Sequence, residues 1–231
     1  MSTNSSPAFI DARGLSRRYA AGTPREHAAL VDATLGIERG AFAVVTGPSG
    51  GGKTTLLSLV GALDRATSGR VIVDGVDLGA ISEAERTRVR RRIGFVFQGS
   101  PMLRGLAAWE NVTYPLIPLG VSARARRTRA AALLDRVGLA SMLDAPPETA
   151  SGGELQRLGI ARALVGSPTL VVADEPTSSL DRRSADAVAA LLREIHASGT
   201  TLLVATHDPH LVECATVRFE LDEGRLVVPV G

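Results

Sequence analysis

The sequence has one cysteine, one tryptophan and one lysine, and no apolar run long enough to cross a bilayer. Cys214 by itself cannot close a disulfide within the chain, which suits a reducing compartment. The longest apolar stretches, such as residues 202–205, are strand-sized and far short of the ~18 residues of a helical span, so a soluble chain is expected. Charge of either sign is not in excess: 26 basic and 24 acidic residues leave a formal net charge of +2, too weak a field to argue for a nucleic-acid partner. Aromatic residues are scarce at 3%, and none is interleaved with the arginines of residues 86–92 or 124–129. Without stacking rings those arginines do not read as a nucleic-acid surface; solvated helical faces are expected, with anionic headgroups or a partner's acidic loop the next alternatives. Residues 1–8 have neither a basic start nor an apolar stretch and read as a disordered tail rather than a signal peptide, and a cytoplasmic location is expected.

The one lysine is what these absences leave in view. Lys53 lies in Gly47-Pro48-Ser49-Gly50-Gly51-Gly52-Lys53-Thr54, followed by Thr55, a complete G-x-x-x-x-G-K-[ST] phosphate-binding loop. A compact ammonium can reach between phosphates where a flat guanidinium fork cannot. Consecutive glycines let backbone N–H groups curl round phosphate oxygens, the following helix adds its positive end, and the Thr54 hydroxyl is a ligand for Mg2+.

At 231 residues the chain fits one large domain. Residues 9–19 and 29–37 alternate loosely and suggest antiparallel strands. An apolar strand at 42–46 runs into the glycine loop, with a helical pattern at 53–63 after it, which is the strand, loop, helix context that a phosphate loop requires. Short strands are expected at 71–73, before the Asp74-Gly75 turn, and at 93–97. From Gln98 to about residue 163, five prolines punctuate helical stretches, one of them arginine-rich at 122–137; this reads as a helical subdomain inserted into an α/β core that spans 9–97 and 164–231. The core pattern resumes with a strand at 169–173, a helix at 182–197 and a strand at 200–206. Alternating strands and helices imply a mostly parallel sheet whose ligands sit at the strands' carboxyl ends.

Two further motifs follow, the first at such a strand end. Leu170-Val171-Val172-Ala173 delivers Asp174 and Glu175, a carboxylate pair that would be costly to bury without a cation or a reaction to serve. Asp174 is expected to hold Mg2+, and Glu175 to orient and deprotonate a water. Ser151-Gly152-Gly153-Glu154 has capping-box spacing and opens a helix, but the capping box does not account for two adjacent glycines. Of the lone residues, Tyr19 is an ordinary strand aromatic or a base-stacking ring, Gln98 a strand end or a ligand contact, and His207 and His210 are too few for a metal site.

With these motifs in order, the chain resembles the nucleotide-binding subunit of ATP-binding cassette transporters. The resemblance runs through nearly the whole chain and implies a phosphate-loop NTPase of RecA-like fold with ATP and Mg2+. It further implies that Tyr19 stacks on adenine, that Gln98 contacts Mg2+ and water, that His207 contacts the γ-phosphate, and that Asp181 in Ser179-Leu180-Asp181 meets an opposing subunit. Ser151, Gly152 and Gly153 would then cover the nucleotide of a second copy in a head-to-tail homodimer bound to transmembrane permease subunits at the cytoplasmic face of the membrane. Around Ser151 the chain departs from the family's usual residues at Ala150, Glu154 and Leu155; residues 98–111 and Gly61-Ala62-Leu63-Asp64 are similar to the lipoprotein-release and macrolide-export type, with departures from that type at Ser100-Pro101-Met102 and at residues 144–149. A regulatory or scaffold subunit without transport is the alternative; an ATPase acting on DNA would need coiled-coil insertions for which the chain has no room.

Overall fold

The computed structural model describes residues 8–227, so the expected tail lies, apart from Ala8, outside the described residues. The chain opens with β1 (Ile10–Tyr19) and β2 (His27–Ile37), in which apolar and polar residues alternate because one face is covered. β3 (Phe42–Thr46) leads into the glycine loop, and α1 (Lys53–Val60) starts where the loop ends. β4 (Ser68–Val73) and β5 (Val76–Asp77) turn back at Asp74-Gly75, whose φ angles of 51° and 77° are the two left-handed positions a tight hairpin demands. These strands form an antiparallel sheet in the order β2-β1-β4-β5.

After α2 (Glu83–Arg90) and β6 (Ile93–Val96), the regular structure is helical: α3 (Ala108–Thr113), α4 (Ala123–Arg136) and α5 (Gly152–Leu164). The core then returns with β7 (Leu170–Asp174), α6 (Arg182–Ala197), β8 (Thr201–Ala205), α7 (Pro209–Glu213), β9 (Val217–Asp222) and β10 (Arg225–Val227). The second sheet runs β10-β9-β3-β8-β7-β6, parallel throughout except where β10 folds back on β9. The expected α/β architecture is therefore what forms, with the helices inserted between β6 and β7. No strand was expected after residue 206; β9 and β10 extend the sheet there, whereas α2 forms where a helical face was expected around residues 86–92.

β3, β7 and β8 are covered on both faces, which is why they read as unbroken apolar runs. Phe42, Val44, Val171, Ala173, Leu202 and Val204 enter one core with α5 and α6. Their alternates Ala43, Val45, Leu170, Val172, Leu203 and Ala205 enter another with α1 and the antiparallel sheet. Each large side chain so buried contributes about 1.5–3 kcal/mol.

The arginines of residues 86–92 do not all lie on a solvated face. Arg86 is 3% exposed and donates from Nη1 to Asp64 O at 2.7 Å and from Nη2 to Leu78 O. Burial, with Arg65 close by, pushes its guanidinium pKa down from the ordinary value. Arg90 donates to Ala62 O at 3.2 Å. These arginines pin α2 onto the turn that follows α1, work that carbonyl acceptors make possible without buried acids.

One close approach fixes the helical insertion on the sheet. A Cβ at Gly94 of β6 would lie 2.5 Å from Ala163 O and 3.0 Å from Ala163 C of α5, both backbone atoms that cannot swing aside. Gly94→Ala is expected to destabilise the protein by about 1–3 kcal/mol, seen as a lower urea midpoint at unchanged slope.

Candidate functional site

The glycine loop is shaped by its neighbours. Gly47 has φ 136°, and a Cβ there would come within 1.9 Å of Leu221 O; at Gly52, φ 97°, a Cβ would meet Ala29 O at 2.4 Å. The loop is thus pressed between β9 and β2, with Gly224 N–H donating to Gly51 O at 3.2 Å from the β9–β10 turn. Lys53 Nζ donates to Gly47 O at 2.7 Å and to Pro48 O at 3.0 Å, which sets the ammonium across the loop. An ammonium has three donors, so one remains beyond these two carbonyls.

Strand register brings the carboxylates to the loop. Val45 pairs with Ala205, and Ala205 with Asp174, so the ends of β3, β8 and β7 lie in one row. Thr54 Oγ1, in the first turn of α1, donates to Asp174 Oδ2 at 2.7 Å. In a continuing strand, Glu175 would point away from the face that Asp174 takes. Instead Glu175 adopts φ 45°, a left-handed conformation that costs a non-glycine residue about 1–3 kcal/mol. Its N–H donates to Ala205 O at 2.8 Å, and Ser178 Oγ donates to its carbonyl at 2.8 Å, so the surroundings hold the turn. Both carboxylates consequently line the same cavity.

His207, just beyond β8, faces Glu175. Its Nδ1 lies 3.2 Å from Oε1 and 3.0 Å from Oε2, but only the approach to Oε1 has hydrogen-bond geometry. Facing a carboxylate, Nδ1 carries the proton. Glu175 Oε2 is left buried with no donor, a costly arrangement that a water or a substrate hydrogen would relieve.

The cavity, of about 380 Å3, is lined by Ser49, Gly50, Gly51, Gly52, Lys53, Thr54 and Thr55 on the loop side and by Tyr19, Gln98, Asp174 and Glu175 around it. Gly47 and Pro48 shape the loop without lining the cavity. His27 and Ala29 also line it, residues that nothing in their sequence context singles out; His27 arrives there because it pairs with Tyr19 across the β1–β2 ladder. Among the described residues no three His, Cys, Asp or Glu side chains gather into a metal cluster. The hard oxygens of Thr54 and Asp174 fit Mg2+ all the same, since that ion is held by one or two protein groups together with water and substrate phosphate.

Ser151, Gly152, Gly153 and Asp181 do not join this cavity. Ser151 Oγ accepts from Glu154 N at 3.4 Å, while the Glu154 carboxylate accepts from Ser151 N and Oγ, both at 2.8 Å. Asp181 caps α6 by accepting from Ser184 N at 3.0 Å and from Ser184 Oγ at 2.7 Å. The two caps touch: a Cβ at Gly153 would lie 2.4 Å from Ser184 Oγ, which explains the second glycine from within the chain. Gly152 has no such reason, because a Cβ there would meet only Leu180 Cδ2 at 3.7 Å.

A phosphate loop at the end of a parallel strand, with a Thr–Asp oxygen pair and a buried carboxylate oxygen beside it, defines a nucleotide-hydrolysing α/β protein. Residues 30–178 match the family model described as ABC transporter. The chain is 44% identical over 221 residues to the lipoprotein-releasing system ATP-binding protein LolD 1 of Caulobacter vibrioides, covering 94% of each. It is also 44% identical over 201 residues to the macrolide export ATP-binding/permease protein MacB of Bradyrhizobium diazoefficiens, of which it spans only 31%. A dimeric, post-hydrolysis structure of the ATP-binding cassette MJ0796 with ADP and Pi superposes with a TM-score of 0.87 at 34% identity, over 94% of this chain and 96% of that one. The chain belongs to the ABC transporter family. It is the ATP-binding, ATP-hydrolysing subunit that powers transport.

The two caps also set an acid limit on stability. The Ser151 N–H and hydroxyl hold Glu154 below the ordinary carboxylate range, and the Ser184 hydroxyl and N–H do the same for Asp181. A lowered folded pKa means that the unfolded chain binds more protons between the two values. The stabilisation is therefore complete above the unfolded pKa and is lost as pH falls through the folded one. Urea midpoints are expected to fall between about pH 5 and about pH 3, with a flatter profile in Glu154→Gln and Asp181→Asn.

Proposed function

We propose that ATP is hydrolysed at a composite site, in which the phosphate loop of one copy is closed by Ser151, Gly152 and Gly153 of a second copy arranged head to tail. The observation that carries this reading is the split of the motif residues: the loop and carboxylates share a cavity, while an exposed serine and an unexplained Gly152 stand outside it. The dimeric form of MJ0796 supports it. In the closed pair, Tyr19 stacks on adenine, and the loop residues Gly47 to Thr55 wrap the phosphates. Mg2+, held by Thr54, Asp174 and Gln98, would neutralise phosphate charge. Glu175 takes the proton from a water as its oxygen attacks the γ-phosphorus and the bond to the bridging oxygen breaks. Lys53 and His207 stabilise the transferred charge, and Ser151 with its helix N-terminus binds the same phosphoryl group in trans. Asp181 sits where the caps of α5 and α6 meet and contacts the opposing copy.

The division into a core, residues 9–97 and 164–231, and a helical subdomain, residues 98–163, gives this cycle its two parts. The work is passed to separate transmembrane permease subunits, a reading supported by the likeness to ATP-binding proteins of export systems. An apolar groove of about 300 Å3, with exposed Leu63, Phe97, Tyr114 and Leu119 on its walls, is the surface we assign to them, at the cytoplasmic face of the membrane. The likeness to LolD and MacB points to an exporter or an extraction system for lipophilic substrates.

Glu175→Gln keeps the shape of the side chain and removes the base. ATP turnover is expected to fall about 100-fold or more, and gel filtration with ATP should show a trapped dimer. Turnover at the parental rate would refute the assignment of Glu175. A second variant isolates the contact in trans: Gly152→Ala leaves the fold's stability unchanged and weakens ATP-dependent dimerisation, read by light scattering, whereas Gly153→Ala lowers stability itself because of Ser184.

A further inference from the structure

Tyr19 does not stand free beside the cavity. Its hydroxyl donates to Asp64 Oδ2 at 2.8 Å, and the same oxygen accepts from Arg17 Nε at 2.9 Å. The Arg17 guanidinium lies 4.5 Å from the centre of the Tyr19 ring, so the three side chains close a triangle. Tyr19 lines the cavity, and Arg17 does not.

Asp64 is itself held on several sides. Oδ1 accepts from Arg65 N at 2.7 Å, the backbone N–H donates to Ser58 O at 3.2 Å in α1, and the backbone carbonyl accepts from buried Arg86 at 2.7 Å. Burial opposes its charge, but the Arg65 N–H, the Tyr19 hydroxyl and Arg17 together keep the carboxyl below its ordinary range. The Arg17–Asp64 pair is about three-quarters covered, with both side chains 24% exposed, which sets it apart from freely solvated ion pairs. The carboxylate sits just past the carboxyl end of α1, the helix whose amino end carries Lys53 and Thr54.

We propose that Asp64 is a positioning residue for base recognition: it ties the plane of the Tyr19 ring to the far end of the phosphate-loop helix, so that the platform for the base and the cradle for the phosphates are held at one spacing. The proposal rests on Tyr19 being the ring on which the base stacks. Its physical basis is preorganisation. A half-exposed tyrosine at the end of a strand would have to give up rotamer freedom when the base arrives, and Asp64 with Arg17 removes that freedom beforehand.

The test measures the affinity of the full chain for MgATP and, separately, for magnesium tripolyphosphate, which has phosphates and no base. Tyr19→Phe keeps the ring and removes the hydroxyl; Asp64→Ala removes the anchor. Each is expected to weaken ATP about three- to tenfold while moving tripolyphosphate less than about twofold. The double variant should be no weaker than Asp64→Ala alone, because both changes remove the same bond. If Tyr19→Ala weakens ATP while Tyr19→Phe and Asp64→Ala bind it as the parent does, the positioning role is wrong and the stacking role stands. If Tyr19→Ala binds ATP as the parent does, the stacking role itself is wrong and the proposal falls with it. Equal losses for ATP and tripolyphosphate in Asp64→Ala would show that Asp64 acts on α1 alone, which also overturns the proposal. Should Asp64→Ala not fold, Tyr19→Phe with the tripolyphosphate control decides the matter.

Discussion

The register of three parallel strands is the constraint on which the site depends. Val45, Ala205 and Asp174 stand in one row; β3 runs from it into the glycine loop, β7 ends on it with Asp174, followed by Glu175, and β8 leads from it to His207. A slip of β7 by one residue would send its alternating side chains to the opposite faces and separate Asp174 from Thr54. Such a slip is opposed by two cores at once, because Val171 and Ala173 fill one and Leu170 and Val172 the other. Hydrophobic burial, acting on residues with no chemistry of their own, thereby sets a hydroxyl-to-carboxylate distance of 2.7 Å.

Glycines that look alike in the sequence differ in what their neighbours require. Gly47, Gly52 and Gly153 are each approached by atoms of the same chain, so their place in the fold is accounted for internally. Gly152 is not. Its freedom from internal contact is what directs attention outward, to a surface that one copy alone does not cover. The capping box at Ser151 serves the same division, since it secures the helix start while leaving the serine exposed.

The sequence was most legible where period and motif agreed. The apolar runs ending in Thr46 and Asp174 could be placed because full burial leaves no polar residue to confuse the pattern, and the glycine loop and the Ser151 turn because their motif spacings are explicit. β9 was harder: Val217, Phe219 and Leu221 alternate with charged residues as an edge-facing strand does, and its partner β3 is remote in sequence. Arg86 misled for a different reason. In a run of arginines, composition points to solvent, and only the carbonyls of Asp64 and Leu78, brought together by tertiary folding, make burial tolerable. His27 and Asp64 were illegible as site residues because their relation to Tyr19 is one of register and helix placement, which no local spacing records.

Of the 26 lysine and arginine side chains in the sequence, all except Lys53 are guanidinium groups, and Lys53 is held by two carbonyls of its own loop. The chain therefore has no lysine that can be acylated without consequence. Any modification that removes a side-chain ammonium charge from this protein removes it from the glycine loop, so that for this chain lysine acylation and loss of the loop's ammonium are one event.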